Sequence, residues 1–313
     1  MQSNAPFRYV IVGSGNICRT YLKAIANSPG LAVAGVVSRN GRRPEGLPGS
    51  AGVWPTLVAV DVPFDAVILT TPNGLHHQGA IEAAALGKHV LTEKVLEISR
   101  DAMDRMMHAC REANVKLAVT YQRRMSPDNR ALKQLLDAGR LGRVFAADMT
   151  VKFWRDAAYY RSGAYRGTRA VDGGGAFTQQ AAHNADLLCW FFGLPDKVVS
   201  LCDRFVHDIE VEDHGVALLH YPNGMIGTFT ASTACRPGFA TLEHRRRAEP
   251  GGKEIPSPRR RDERCGRGHG RPRSHPSGLR GGRPHRTRAR RARRVWAAGV
   301  GVDSPDLRQQ PAG

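Results

Sequence analysis

The stretch GSGNIC, Gly13 to Cys18, follows the apolar run FRYVIVG and opens ICRTYLKAIANS, so a glycine-rich turn joins a strand to a helix. Such a turn can bind a dinucleotide. Gly13 permits the sharp bend, Gly15 lets the backbone approach a pyrophosphate, and the helix N-terminus at Asn16 and Ile17 offers it unpaired N–H groups. Cys18 stands where a third glycine is usual and is small enough for close packing of helix on strand. The plainer reading is a turn that binds nothing; the strand-turn-helix context favours a cofactor. The second apolar run, LAVAGVV, leads into Ser38 and Arg39, where an NAD site usually carries an acid for the ribose 2′-hydroxyl. An arginine pairs with a 2′-phosphate, a serine donates to it and no carboxylate repels it, which puts NADP(H) first and NAD(H) second. The other reading of Arg39, followed by Arg42 and Arg43, is a solvated loop charge.

The elements that must position these residues are legible in the first third of the chain. Short apolar runs (FRYVIVG, LAVAGVVS, DAVILTT, KHVLTE, KLAVTY) alternate with amphipathic stretches (ICRTYLKAIANS, HHQGAIEAAALG, SRDAMDRMMHACREAN), which predicts a parallel sheet covered on both faces. TTPNGLHH, following DAVIL, then lies at the carboxyl edge of that sheet, where ligands of doubly wound folds bind. Beyond Tyr121 the pattern changes to a helix, PDNRALKQLLDAG, and to strand-like RVFAADMTVKFW, VVSLCDRFV, HGVALLHY and MIGTFTAST. Among these a single helix, AFTQQAAHNADLLCWFFG, opens after Gly173, Gly174 and Gly175. The expected fold class is α/β: a doubly wound Rossmann domain over residues 1–122, then an α+β domain over 123–243 on a large, open, mostly antiparallel sheet left incomplete.

Composition separates the remainder. Between His244 and Arg294 stand 18 Arg and one Lys against four acids, so this stretch holds fifteen of the eighteen net positive charges and the rest is nearly neutral. Residues 244–313 are read as a basic tail without helical or strand periodicity. The six cysteines lack metal-ligand spacing, so no metal is expected and reduced thiols are. With no apolar run of spanning length and no leader pattern, the expectation is a cytoplasmic protein with no membrane partner.

In their order, GSGNIC, TTPNGLHH, GKHVLTEK, YQRRM, YYRSGAYRGTRAVDGGG, the HNAD of the long helix and VEDHGVALLHYPNGMIGTFTAST resemble the glucose-fructose oxidoreductase, inositol dehydrogenase and MocA (Gfo/Idh/MocA) family, over residues 7 to about 243. The resemblance implies an NAD(P)-dependent oxidoreductase acting on a hydroxyl or carbonyl of a sugar or polyol. It implies that Lys94 hydrogen-bonds the reacting hydroxyl and that His183 shares proton transfer or orients the substrate. Glu93 would face the cofactor, and Thr71, Pro72, Asn73 and His76 would line the nicotinamide and its ribose. A base near the hydroxyl suits the chemistry, and a lysine lowered by burial beside a cationic nicotinamide can serve. Against this, Lys94 reads as a surface lysine and His183 as a core histidine satisfied by backbone. Trp154, Tyr160 and Arg166 would line the sugar by ring stacking and charge-assisted hydrogen bonds, with packing as the alternative for all three. Homo-oligomers by sheet-to-sheet contact are common in the family, and the missing strands would disable that contact.

Three departures qualify the resemblance. Val95 replaces the proline after the lysine, whose cis bond aims it, so a displaced Lys94 is expected. Gln179 stands four residues before His183, where many members carry an aspartate; it cannot take a proton, which leaves transfer to Lys94 and His183. After STACRPGFATLEH the family's further strands give way to an arginine-rich run, as an out-of-frame reading of GC-rich DNA would produce, beginning near Glu243. Two other function classes therefore stand beside the enzyme: an inactive relative that binds cofactor only, and a basic-tailed nucleic-acid binder. The tail lacks the interleaved aromatics of the last, so no specific nucleic-acid partner is expected.

Overall fold

The computed structural model describes residues 5–246 of the 313-residue chain. Strands β1 (Phe7–Val12), β2 (Leu31–Val37), β3 (Gly52–Trp54), β4 (Ala66–Leu69), β5 (His89–Thr92) and β6 (Leu117–Val119) form one parallel sheet in the order β3-β2-β1-β4-β5-β6. Successive residues serve opposite faces: Val10 and Val67 join one buried cluster, Ile11 and Ile68 the other. Helix α1 (Asn16–Ala26) seals the second face with Cys18, Leu22 and Ile25, so Cys18 packs where the third glycine was expected. Helices α2 (His76–Ala85) and α3 (Arg100–Glu112) cover the first face, α3 through Met106 and Cys110 at helical spacing. Each fully buried aliphatic side chain contributes about 1.5–3 kcal/mol, so these two layers fix the carboxyl edge of the sheet firmly. The strand order reverses at the β1–β4 pair, and the loops after β1, β4 and β5 open side by side there.

The second part begins with α4 (Pro127–Asp137) and carries a five-stranded sheet of order β11-β7-β10-β9-β8. Its strands are β7 (Val144–Trp154), β8 (Lys197–Asp203), β9 (His214–His220), β10 (Ile226–Ser232) and β11 (Ala234–Arg246). Only β7 and β10 run parallel. Helix α5 (Ala157–Arg161) is short, and α6 (Ala182–Phe192) packs Leu188 onto Met149, Phe229 and Ala231 of the sheet. On the opposite face Leu201, Val216, Leu218 and Ile226 stay exposed. The single helix expected from Ala176 is two pieces, a π turn (Ala176–Gln180) and α6. Strand β11 pairs His244, Arg245 and Arg246 with β7, three residues past Glu243. The readings that concern residues 247–313, the basic tail and the change of frame, lie outside the described residues.

Candidate active site

The glycine turn has the expected backbone. Gly13 lies at φ +109°, and a Cβ there would fall 2.8 Å from Thr70 Oγ1. No atom lies within 4 Å of a Cβ built on Gly15, Asn16 and Ile17 are exposed, and no acidic side chain occupies the first turn of α1. A pyrophosphate can therefore approach the helix N-terminus without steric or charge conflict. Ser38 departs from expectation: it is 3% exposed, its hydroxyl donates to Asn40 Oδ1 at 2.9 Å and lies 3.0 Å from Ser14 Oγ. It braces the loop and is not free to meet a phosphate. Arg39 is exposed beside it.

The loops after β4 and β5 are tied to each other and to the second domain. His76, expected against the nicotinamide, is fully buried; Nε2 faces Thr71 O at 2.9 Å and Nδ1 faces Val95 O at 2.9 Å and Leu96 O at 3.3 Å. It joins the two loops beneath the cleft. Asn73, also expected there, donates from Nδ2 to Asp172 O at 3.0 Å across the domain junction. Beside Pro72, the Thr71 hydroxyl is buried without a hydrogen-bond partner and is the group of this loop left for a ligand. Glu93 accepts from the Tyr21 hydroxyl at 2.7 Å, and that hydroxyl also lies 2.7 Å from Thr120 Oγ1. The Lys94–Val95 peptide is cis, and Lys94 lies at the cleft, so the displacement expected with valine does not occur.

The π turn supplies the opposite wall. Glu212 Oε1 accepts the N–H groups of Gly175 and Phe177 at 3.0 and 3.1 Å, and a Cβ on Gly175 would fall 1.7 Å from Glu212 O, so this turn requires its last glycine. Lys94 Nζ donates to Gln179 O at 2.9 Å. The Gln179 side chain turns away, donating to Asp172 Oδ1 at 2.9 Å. Burial lowers the Lys94 ammonium below its ordinary value, an effect that Glu93 and Asp172 oppose and Arg155 and Arg166 reinforce. His183 sits on the first turn of α6, edge-on to Tyr121, and its Nδ1 is buried without a partner. Burial, with Lys94 and Arg123 nearby, brings its pKa down to about 4, so the imidazole is neutral at physiological pH. Arg124 locks this wall to the first domain, donating to both oxygens of Asp186 at 2.7 and 2.5 Å.

Of the expected sugar-site residues, Trp154 keeps a buried, unpartnered Nε1 and lies under the Arg236 guanidinium at 4.2 Å. Tyr160 is committed to packing: its hydroxyl donates to Thr233 Oγ1 at 2.9 Å and its ring lies 4.9 Å from His207. The guanidinium of Arg166 lies 4.4 Å from the centre of the Tyr159 ring. A small cavity here is lined by Tyr159, Asp172, Gln179 and Gln180, among others. Tyr21, Arg155, Asp172 and Glu212 are site-forming residues that sequence reasoning missed. Asp172 alone left a signal, as the acid preceding the triple glycine. Among the described residues no cluster of metal-ligating side chains occurs, and no helix is long and apolar enough to cross a membrane.

An NAD-binding turn facing a lysine and a histidine across a domain junction defines a class, the dinucleotide-dependent oxidoreductases, and comparison with known proteins supplies the family. Residues 7–121 match the oxidoreductase family NAD-binding Rossmann fold and residues 129–249 match the GFO/IDH/MocA C-terminal domain. The solved structure of the WlbA dehydrogenase from Bordetella pertussis, in complex with NADH and UDP-GlcNAcA, superposes with a TM-score of 0.72 at 31% identity, covering 77% of this chain and 74% of that one. Among curated proteins, 1,5-anhydro-D-fructose reductase of Ensifer adhaerens is 29% identical over 71% of this chain and 68% of its own length. Oxidoreductase P35 of Formosa agariphila is 29% identical over 60% of this chain, and the match spans 61% of that protein. The chain belongs to the Gfo/Idh/MocA oxidoreductase family.

Proposed function

We propose that this chain catalyses NAD(P)-dependent hydride transfer to or from a CH–OH carbon of a sugar or polyol. The observation that carries the reading is the meeting of Lys94 Nζ with the π-turn carbonyl of Gln179, beside a His183 whose Nδ1 lacks a partner. The cofactor fits the residues present: the Gly13–Gly15 turn and the bare α1 terminus would hold its pyrophosphate, and the Thr71 hydroxyl its nicotinamide end. When bound, the nicotinamide supplies the hydride acceptor or donor. Lys94, lowered by burial, holds the reacting hydroxyl and takes its proton in the oxidising direction or returns it in the other. His183, neutral, accepts a hydrogen bond at the same hydroxyl or its neighbour and fixes the orientation of the sugar. Gln179 keeps its side chain on Asp172 and contributes its carbonyl as the resting partner of Lys94.

The relatives' activities support a carbohydrate substrate, since 1,5-anhydro-D-fructose reductase and scyllo-inositol 2-dehydrogenases are among them. Preference for NADP(H) rests on the exposed Arg39 and the absent acid, with Ser38 excluded by its burial. We further read the chain as two domains meeting near residue 122, located in the cytoplasm, and as a homo-oligomer through the exposed apolar face of the second sheet. Nicotinamide absorbance followed with a panel of sugars and polyols tests the function: reduction of NAD(P)+, or oxidation of NAD(P)H by the matching carbonyl compounds, supports it. Cofactor binding without turnover on any of them would favour an inactive relative.

A further inference from the structure

Two arginines share one aromatic ring beside the reacting end of the cleft. Arg155, just past β7, and Arg166, in the loop before the triple glycine, place their guanidinium carbons 4.7 and 4.4 Å from the centre of the Tyr159 ring. Both are half-buried. Arg155 donates from Nε and Nη2 to Gln180 Oε1 at 3.2 and 2.6 Å; Arg166 donates from Nε to Ser162 Oγ at 2.9 Å. These acceptors are neutral. The ion pairs among the described residues involve neither arginine. Nη1 of Arg155 and both terminal nitrogens of Arg166 are left without a hydrogen-bond partner there.

The acids close by are already engaged. Asp172 accepts from Gly167 N at 2.7 Å and from Gln179 Nε2 at 2.9 Å, and Glu93 accepts from Tyr21 on the cofactor side. Both arginines also push Lys94 toward its neutral form, so their charge is felt at the reacting end. Like charges repel, and two of them held over one ring beside a lysine, with planar forks open, suit an incoming anion with two or more oxygens. Distance along the chain gives its place: Gln179 holds Lys94 and the next residue, Gln180, holds Arg155.

We propose that the substrate is an acidic sugar, whose carboxylate or phosphate seats on Arg155 and Arg166 while its reacting hydroxyl meets Lys94 and His183. The anion site stands on the arginines alone; only what the anion is attached to rests on the oxidoreductase reading. The test is calorimetric titration of the full chain, with reduced cofactor present, by D-glucose, D-glucuronate and D-glucose 6-phosphate. At least one acidic sugar should bind about thirtyfold more tightly than glucose, as expected for a charge-assisted fork, and which one does separates a sugar carboxylate from a sugar phosphate. Inorganic phosphate should compete in the unaltered protein, which needs no variant to fold. Arg155→Gln and Arg166→Gln, checked by thermal midpoint, should each shrink the preference about tenfold, and Arg155→Lys or Arg166→Lys should restore part of it. Equal binding of glucose and both acids, no binding of either acid, or a preference unchanged in both glutamine variants would overturn the proposal. Retained anion preference with no hydride transfer from any sugar would instead remove the oxidoreductase reading and leave the anion site standing.

Discussion

The two walls of the cleft are made differently. The wall built by the loops after β1, β4 and β5 presents backbone: the Gly13–Gly15 turn, the free N–H groups of α1 and the carbonyls gripped by His76. The wall built by the π turn and the preceding loop presents side chains, Arg155, Tyr159, Arg166 and His183, held by Gln180, Ser162 and packing. Backbone recognises what the members of a dinucleotide-binding family share, the pyrophosphate, whereas side chains are free to vary with the substrate. Lys94 is the point where the walls touch.

That contrast makes separable predictions. Lys94→Ala, at the contact, should lower turnover by about a hundredfold or more while cofactor affinity stays within a few-fold, read by steady-state kinetics and fluorescence titration. Gly13→Val acts on the backbone wall: at φ +109° with Thr70 Oγ1 2.8 Å from the new Cβ, it should cost about 1–3 kcal/mol of stability and weaken NAD(P)H binding about tenfold or more. Equal cofactor affinity in that variant would show that the turn is not the binding element. Arg39→Asp should shift the ratio of NADPH to NADH affinities about tenfold toward NADH, without changing sugar selectivity. An unchanged ratio would leave Arg39 a loop charge.

The smallest expected effect belongs to His183. Its pKa is brought from 6.5 down to about 4, so the folded protein prefers the neutral ring. Between those values the unfolded chain binds the proton first, and its share of stability is present above about 6.5 and lost as pH falls toward 4, at no more than about 1.4 kcal/mol per unit. Urea midpoints of the unaltered protein and His183→Asn should converge as the solution is acidified through that window. Parallel curves would mean that His183 is not buried as a neutral base.

The backbone wall was the legible one. GSGNIC between a strand and a helix announces its geometry, because glycine at φ > 0 and an uncapped helix are local properties. What sequence reasoning missed there is long-range: Ser38 is closed by Ser14 and Asn40, and His76 and Asn73 turn toward Val95 and Asp172, partners 19 and 99 residues away. The side-chain wall was harder for the same reason. Nothing in AFTQQAAHNAD signals a π turn, which follows from Glu212, 36 residues beyond Ala176, accepting that turn's first N–H groups. Arg155 looked like any polar residue after a strand until Tyr159 and Arg166 were folded against it.

The most direct test of the account is the pH dependence of kcat/KM for sugar oxidation in the unaltered enzyme and in Lys94→Met. The unaltered enzyme should show an acidic limb that ends below the ordinary lysine range, because a buried ammonium must lose its proton before it can accept one from the hydroxyl. Lys94→Met should retain only a small residual rate, and that limb should be gone. A methionine variant with the same limb and an undiminished rate would contradict the assignment of Lys94 and, with it, the meeting of the two walls as the catalytic centre.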